Sequence, residues 1–364
     1  MQIKTAVVKE QGAPLEWEAA QLDEPKLNEV LVKVAASGIC HTDAEGRDSG
    51  LTPYPVALGH EGAGIVEKVG EAVTKVKPGD HVVLSYTVDG TCPQCRTAHP
   101  GSCENFNLYN FGGASKDGTH RIHDEAGHDI SNFFGQSSLS TYAVVDESGV
   151  VKVDADVDLR YLGPLGCGFL TGAGTMLNYI KPQFGDTVAV FGAGAVGIAA
   201  IMGAKIMGCR HIIAVNRKDY WLTIAKEMGA TEVINNSKVD PVAAINEIVP
   251  GGVDYVIDTA GVDSVILDAV HSLRPGGECV LVGIGGDVTI NVMNDLLATG
   301  KKLSGVVEGY AVPQTFIPKL VDYFKQGQFP LDKLSRFYQP DQINQAFADS
   351  ASGEVIKPII VFDK

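Results

Sequence analysis

Three residues of metal-binding type stand in glycine-flanked stretches of this chain. Cys40 lies in Gly38-Ile39-Cys40-His41-Thr42-Asp43, His60 in Gly59-His60-Glu61-Gly62, and Cys167 in Pro164-Leu165-Gly166-Cys167-Gly168. Thiolate and imidazole are zinc ligands, and three of them with one open position make a catalytic zinc site. An alcohol oxygen in that position becomes acidic, and the alkoxide so stabilised can release a hydride. Thr42 carries a hydroxyl that both accepts and donates, which suits a proton relay, although a loop threonine is more often just solvated. Asp43 is placed to orient His60 as an outer carboxylate, and Glu61 to act beside the metal or as a transient ligand. Singly, each Cys or His reads equally well as an ordinary buried group.

A second cluster reads Asp89-Gly-Thr-Cys92-Pro-Gln-Cys95 and continues to Cys103. Three thiols so close together suit a closed structural zinc site, which needs a fourth ligand. Asp89 precedes Cys92 at the same two-residue spacing that separates Cys92 from Cys95, and a carboxylate is a harder but legitimate ligand. His99 is the rival, and spacing favours Asp89.

Gly192-Ala-Gly194-Ala-Val-Gly197 is a GxGxxG run. It follows an apolar strand pattern and opens a helical one, the context that makes such a run a dinucleotide fingerprint. Gly192 allows the tight turn, Gly194 lets pyrophosphate approach the backbone, and Gly197 lets the helix pack on the sheet. The next strand ends in Asn216-Arg217-Lys218, where an NAD enzyme usually carries an acid for the ribose 2′-hydroxyl. Asn216 does not repel a 2′-phosphate, and Arg217 and Lys218 can pair with one, so NADP(H) is favoured over NAD(H). The alternative is an ordinary ribose on Asn216 with two solvated charges beside it.

Positioning these groups takes two kinds of architecture. Residues up to about 150 read as short strands and turns, with Lys4–Val8, Glu29–Ala35, Gly64–Val69, His81–Ser85 and Ser140–Val145 as strands of a partly closed β domain. Past Leu162 strands alternate with helices: Thr187–Phe191, then a helix over Val196–Met207, strand His211–Val215, helix Tyr220–Met228, and strands Tyr255–Asp258 and Glu278–Val282. That is the rhythm of a doubly wound parallel sheet. Helices over Pro313–Lys325 and Pro340–Asp349 and a strand over Lys357–Phe362 are expected to return to the first domain. The boundaries expected are 1–167 completed by 308–364 for the β domain and 168–307 for the nucleotide domain.

Composition narrows the function. The 364 residues carry a net charge of −15, which repels phosphate backbones and argues against nucleic acid. No run reaches the roughly 18 apolar residues of a membrane span. The Met1-Gln2-Ile3-Lys4 start lacks a signal-peptide pattern, and seven cysteines do not make a disulfide framework, so a cytoplasmic location is expected.

Taken as a set, these motifs resemble the zinc-containing medium-chain dehydrogenase/reductase family over essentially the whole chain. The resemblance implies an α/β fold, a GroES-like β domain plus a Rossmann domain, with an active site in the cleft between them. It implies that Cys40, His60 and Cys167 bind catalytic zinc, that Thr42 relays a proton, that Thr171 lies by the nicotinamide, and that Lys357 touches the pyrophosphate. Where some members continue the relay with a His, this chain has Glu45. Asn110-Phe111-Gly112-Gly113-Ala114 and Phe133-Phe134-Gly135-Gln136-Ser137-Ser138 are similar to the aryl-alcohol dehydrogenases of that family. By that likeness Phe133 and Phe134 would line a pocket for aromatic or medium aliphatic primary alcohols; their plain alternative is core packing. The family also implies a homodimer or homotetramer. A polyol dehydrogenase, a zinc-free quinone reductase and a non-catalytic nucleotide-binding scaffold are the rival readings, and the intact Cys40–His60–Cys167 set speaks against the last two.

Overall fold

The computed structural model describes residues 1–362. They form two units, one of Met1–Cys167 with the segment that starts at Val312, the other of Gly168–Ala311.

The first unit is built from β-strands. Gln2–Val8, Glu16–Leu22, Ile122–His123, Asp129–Asn132 and Val56–Ala57 close a small barrel. A seven-stranded sheet runs Val150–Lys152, His81–Leu84, Glu61–Val69, Glu29–Gly38, Lys357–Val361, Ser335–Tyr338, with Tyr142–Asp146 also paired to Glu29–Gly38. Valines 30, 32, 34, 66 and 82 with Leu84 fill its interior, as alternating β-branched residues on one face should. Two of these strands start or end at the candidate ligands. Glu29–Gly38 runs out two residues before Cys40, and Glu61–Val69 begins one residue after His60. They pair antiparallel with Gly38 opposite Glu61, so both ligand segments meet at one end of one ladder.

The second unit is a parallel six-stranded sheet in the order Glu232–Asn235, His211–Asn216, Thr187–Phe191, Val253–Asp258, Leu273–Leu281, Lys302–Gly305. The strand order reverses beside Thr187–Phe191, the arrangement that places a dinucleotide beyond the strands' carboxyl ends. Ala189, Phe191, Ile213, Val215, Val256 and Cys279 are buried in its core.

Several expectations are corrected. The strand read as Glu278–Val282 starts at Leu273, because Pro275-Gly276-Gly277, which reads as a turn, is absorbed where the register with Val253–Asp258 shifts. The helix read over Pro340–Asp349 is a short turn, Pro340–Gln342, followed by a helix over Ile343–Ser352 that Gly353 ends at φ +73°. The boundary expected at 307/308 falls after Ala311. Glu308–Tyr310 stays in the nucleotide unit because Gly309 seats against the helix Gly168–Gly174 so closely that a Cβ on Gly174 would lie 2.4 Å from the Gly309 oxygen. Positions 363 and 364 of the expected β domain lie outside the described residues. Among the described residues, no helix is long and apolar enough to cross a membrane.

A buried ion pair ties the β unit together. Arg121 is 2% exposed and donates from Nε and Nη2 to the two oxygens of Glu29, at 2.9 and 2.7 Å. Removing one partner of such a pair strands the other charge and costs about 3–5 kcal/mol. Arg121→Met is therefore expected to lower the stability of this unit by about that amount. Urea unfolding read at Trp17, in a Trp221→Phe background, measures it; a change under about 1 kcal/mol would contradict the assignment.

Candidate active site

Cys40 ends its strand segment and caps the helix His41–Asp48. Its backbone N–H donates to Asp43 Oδ2 at 3.0 Å. The other oxygen of Asp43 accepts from the Gly59 N–H at 3.0 Å and sits 2.9 Å from His60 Nδ1. Asp43 and His60 are both fully buried. One carboxylate therefore fixes the backbone of one ligand and the ring of the next. With Nδ1 bound to Asp43, the His60 ring must present Nε2, and that atom is buried with no hydrogen-bond partner. Gly59 makes the approach possible: its φ is +103°, and a Cβ there would lie 2.1 Å from the Leu139 nitrogen.

Cys167 arrives by a different route. The turn Gly163–Gly166 is pressed against the sheet, where a Cβ on Gly163 would meet the Glu61 oxygen at 2.1 Å and one on Gly166 the Leu84 oxygen at 1.9 Å. Ser85 Oγ donates to the Gly166 oxygen at 2.7 Å. The turn delivers Cys167 so that ligand atoms of Cys40, His60, Glu61 and Cys167 all lie within 4.8 Å of one another.

The electrostatics are those of a cation site. The neighbouring Cys167 thiol holds the Cys40 pKa well below the usual thiol range against the cost of burial, with the Lys357 and His60 charges assisting. Burial disfavours a charged His60, but Asp43 more than reverses this and raises its pKa. Burial pushes Glu61 up to about 6, opposed by Lys357. Two soft thiols, an orphaned imidazole nitrogen and a nearby carboxylate fit zinc, by donor chemistry as well as by the unmet need of Nε2.

Other expected residues fall as follows. Thr42 Oγ1 lies 4.0 Å from Cys40 Sγ on a half-buried residue. Glu45 stands 3.3 Å from the exposed His41 ring. Lys357, expected at a pyrophosphate, is 1% exposed; its Nζ donates to both Glu61 oxygens at 2.8 and 2.9 Å and to the Ile39 oxygen at 3.2 Å. Its engagement is thus with the zinc-side carboxylate, because a buried ammonium must be paired. Phe133 and Phe134, expected to line a pocket, are 0% and 2% exposed. Their rings stand 5.7 and 4.9 Å from His60 and pack with Phe111, so the structure makes them core behind the ligand. Gln136 belongs to the Phe133–Ser138 stretch. It is buried, donates to the His60 oxygen at 3.0 Å and accepts from the Gly62 N–H at 3.2 Å, strapping the His60 segment from outside.

In the second cluster, ligand atoms of Asp89, Cys92, Cys95 and Cys103 lie within 4.8 Å of one another, and His99 is not among them. The Cys92 and Thr91 N–H groups hold the Asp89 carboxyl far below the usual range. The same kind of contact, from the Cys95 and Glu104 N–H groups, lowers Cys92. Cys95 is pushed up to about 12 by burial and by its neighbour Cys92. Three thiols and a carboxylate gathered this closely suit a divalent cation.

In the nucleotide unit, Gly192 has φ +93° after the strand Thr187–Phe191, and a Cβ on Gly197 would lie 1.9 Å from the Gly192 oxygen. Gly194 caps the helix Ala195–Met207. These glycines leave the cradle that a pyrophosphate fills. Asn216 Oδ1 accepts from the Lys218 N–H at 3.0 Å, and Arg217 and Lys218 are exposed. Thr171, on the helix Gly168–Gly174, donates to Glu308 Oε2 at 3.5 Å.

Comparison with known proteins agrees with this construction. Residues 26–155 match the alcohol dehydrogenase GroES-like domain and residues 195–326 the zinc-binding dehydrogenase family. A geraniol dehydrogenase of Castellaniella defragrans is 41% identical over 363 residues, covering 99% of this chain and 97% of its own. Two crystal structures cover both chains completely at 44% identity. One, with TM-score 0.97, is an alcohol dehydrogenase zinc-binding domain protein from Burkholderia ambifaria; the other, at 0.96, is benzyl alcohol dehydrogenase from Acinetobacter calcoaceticus. The chain belongs to the zinc-containing medium-chain alcohol dehydrogenase family. It has that family's GroES-like and Rossmann domains, and the family's chemistry is oxidoreduction of alcohols with zinc and a nicotinamide cofactor.

Two outcomes are expected from metal analysis. Asp43→Asn releases the His60 ring and should weaken zinc at the first site about 10–100-fold in a chelator competition, leaving the second cluster loaded. Asp89→Ala should lose the zinc of the second cluster and His99→Ala should keep it; the reverse pattern would restore His99 as the ligand.

Proposed function

We propose that this protein interconverts a primary alcohol, aromatic or medium aliphatic, and its aldehyde with a nicotinamide dinucleotide. The observation that carries the reading is the buried, unpartnered His60 Nε2 grouped with the thiols of Cys40 and Cys167, while Glu61, the fourth group within reach, has both oxygens on Lys357. Cys40, His60 and Cys167 would hold a zinc ion, which would supply the Lewis acidity that makes an alcohol hydroxyl acidic at neutral pH. Thr42 Oγ1, near Cys40 and half-buried, takes up that proton while passing its own outward. Asp43 engages His60 Nδ1 and so fixes the ring with Nε2 as the nitrogen left for a metal. Lys357 neutralises Glu61 and keeps it from closing the site as a permanent fourth ligand. The alcohol class is supported by the names of the benzyl alcohol and geraniol dehydrogenases among the relatives, whose substrates are an aryl and an allylic primary alcohol.

For the nucleotide we propose NADP(H). Asn216 turns its oxygen to the Lys218 N–H, which leaves an amide N–H₂ rather than a carboxylate at the ribose, beside two exposed cations. The same reading takes the protein as a cytoplasmic homo-oligomer. Val292, Met293 and Leu297, shortly before the outer strand Lys302–Gly305 in the sequence, are 58–69% exposed, apolar surface that an oligomer would cover.

A panel of alcohols assayed with both nucleotides tests the proposal. Benzylic and allylic primary alcohols should give the highest kcat/KM, NADP⁺ should exceed NAD⁺, and Asn216→Asp should reverse that order by about tenfold or more. Equal or better efficiency with NAD⁺ in the wild type would refute the nucleotide assignment. Absence of alcohol-dependent reduction of either nucleotide by the zinc-loaded protein would refute the enzyme.

A further inference from the structure

Glu61–Val69 pairs antiparallel with His81–Leu84, from Ile65 opposite His81 to Ala63 opposite Val83. Beyond that last pair one chain leads back to His60 and the other on to Ser85. A side chain takes over there. Gln136 is 1% exposed; its Nε2 donates to the His60 oxygen at 3.0 Å and to the Ser85 oxygen at 3.4 Å, and its Oε1 accepts from the Gly62 N–H at 3.2 Å. A carboxamide carries the donor and the acceptor of a peptide unit, so Gln136 serves as one more rung between the two chains.

Ser85 leads on to the third ligand. It is fully buried, and its Oγ donates to the oxygen of Gly166, the residue before Cys167, at 2.7 Å. A continuous path therefore runs from the His60 backbone through the Gln136 amide to Ser85 and the turn that carries Cys167. The bonds of Asp43 join Cys40 to His60; this path joins His60 to Cys167.

The backbone that delivers Gln136 is costly to form. Phe134, Gly135 and Ser137 have φ of +55°, +65° and +48°, the left-handed region in which residues with a Cβ are strained. Such strain persists where the surroundings impose it. Here the segment is tied to the stretch before His60: the Ser138 N–H donates to the Gly59 oxygen at 2.9 Å and the Leu139 N–H to the Leu58 oxygen at 3.0 Å. Ser137 Oγ accepts from the Phe133 N–H at 2.9 Å and donates to the Ala57 oxygen at 2.7 Å. The turn so held directs the Gln136 amide inward.

We infer that Gln136 is a positioning residue for the metal centre: through Ser85, its carboxamide sets the spacing of His60 and Cys167 and so how tightly zinc is held. This rests on the catalytic-zinc reading above. The N–H₂ is the necessary part, because it meets two carbonyl oxygens; a carboxylate would set an anion against both.

Gln136→Met keeps the length and removes both hydrogen-bonding ends, and Gln136→Glu keeps the acceptor and removes the donor. Zinc is competed from the whole protein with a chelator, and the equivalent missing from His60→Ala marks the first site. Both Gln136 variants should hold that equivalent about tenfold or more weaker, while the second cluster keeps its zinc. Ser85→Ala cuts the path at its other end and should weaken the same equivalent. The Gln136→Met, Ser85→Ala double variant should lose less than the product of the two single losses, because either cut breaks the one path. Thermal melting separates positioning from plain packing: the rise in Tm that zinc gives should shrink in each variant. Unchanged zinc affinity in Gln136→Met, equal falls in Tm with and without zinc, or single losses that multiply in the double variant would overturn the inference. Ser85→Ala with wild-type zinc affinity overturns it alone, so the test stands even where a Gln136 variant fails to fold. A wild type lacking any zinc that His60→Ala removes would overturn the function proposed above instead.

Discussion

The hydrogen bonds of Asp43 are the constraint on which the first unit's site depends. Cys40 and His60 are twenty residues apart and flank different strands. The ladder between Glu29–Gly38 and Glu61–Val69 brings the segments together, but pairing alone would leave the imidazole free to turn. Asp43 removes that freedom by taking the Cys40 amide, the Gly59 amide and His60 Nδ1 at once. Full burial makes the arrangement all-or-none, because an anion at that depth is tolerable only with each partner in place. The aromatic rings of Phe133 and Phe134 and the amide of Gln136 then close on His60 from the far side. The placement of His60 thus comes from groups other than the two cysteines beside it.

Cys167 shows a second way of fixing a ligand. Its turn has few side chains to hold it, and the position is set instead by backbone lying on backbone at Gly163 and Gly166. The nucleotide unit uses the same device at Gly197 and Gly309. In each case glycine is needed for the space its missing Cβ leaves, and an alanine would push apart two elements rather than merely stiffen one. Glu308 and Tyr310 are the counterpart: side-chain-bearing residues kept in a glycine-like conformation by such a close contact.

Much of this was legible in the sequence. The helix Pro313–Lys325 and the strand Thr187–Phe191 coincide with their expected limits, since one has a proline start and a regular apolar stripe and the other is a buried run bounded by glycine. The GxGxxG run and the ligand trio announce themselves through residue type and order. What stayed hidden depends on contacts that no local pattern encodes. Glu16–Leu22 alternates weakly and is a strand because it pairs with Gln2–Val8. Ser335–Tyr338 is a strand through its parallel partner Lys357–Val361. Phe133 and Phe134 look alike as pocket wall or core until the ring of His60 is found against them. The resemblance implies Lys357 at a pyrophosphate, and only the fold reveals a buried carboxylate opposite it. Glu308 carries no sequence signal, because its interest lies in a dihedral angle.

The lobe of Asp89, Cys92, Cys95 and Cys103 has a consequence for oxidative damage. Four thiolates around a metal can, once oxidised, close into two disulfides and shed the ion with no sulfur left over. Three cannot: any disulfide among them leaves one cysteine unpaired, and the carboxylate takes no part in the chemistry. Oxidation of this lobe would therefore end in one disulfide and one unpaired sulfur. A carboxylate in place of a fourth thiolate would leave the charge toward a bound cation unchanged. It alters how the lobe fails.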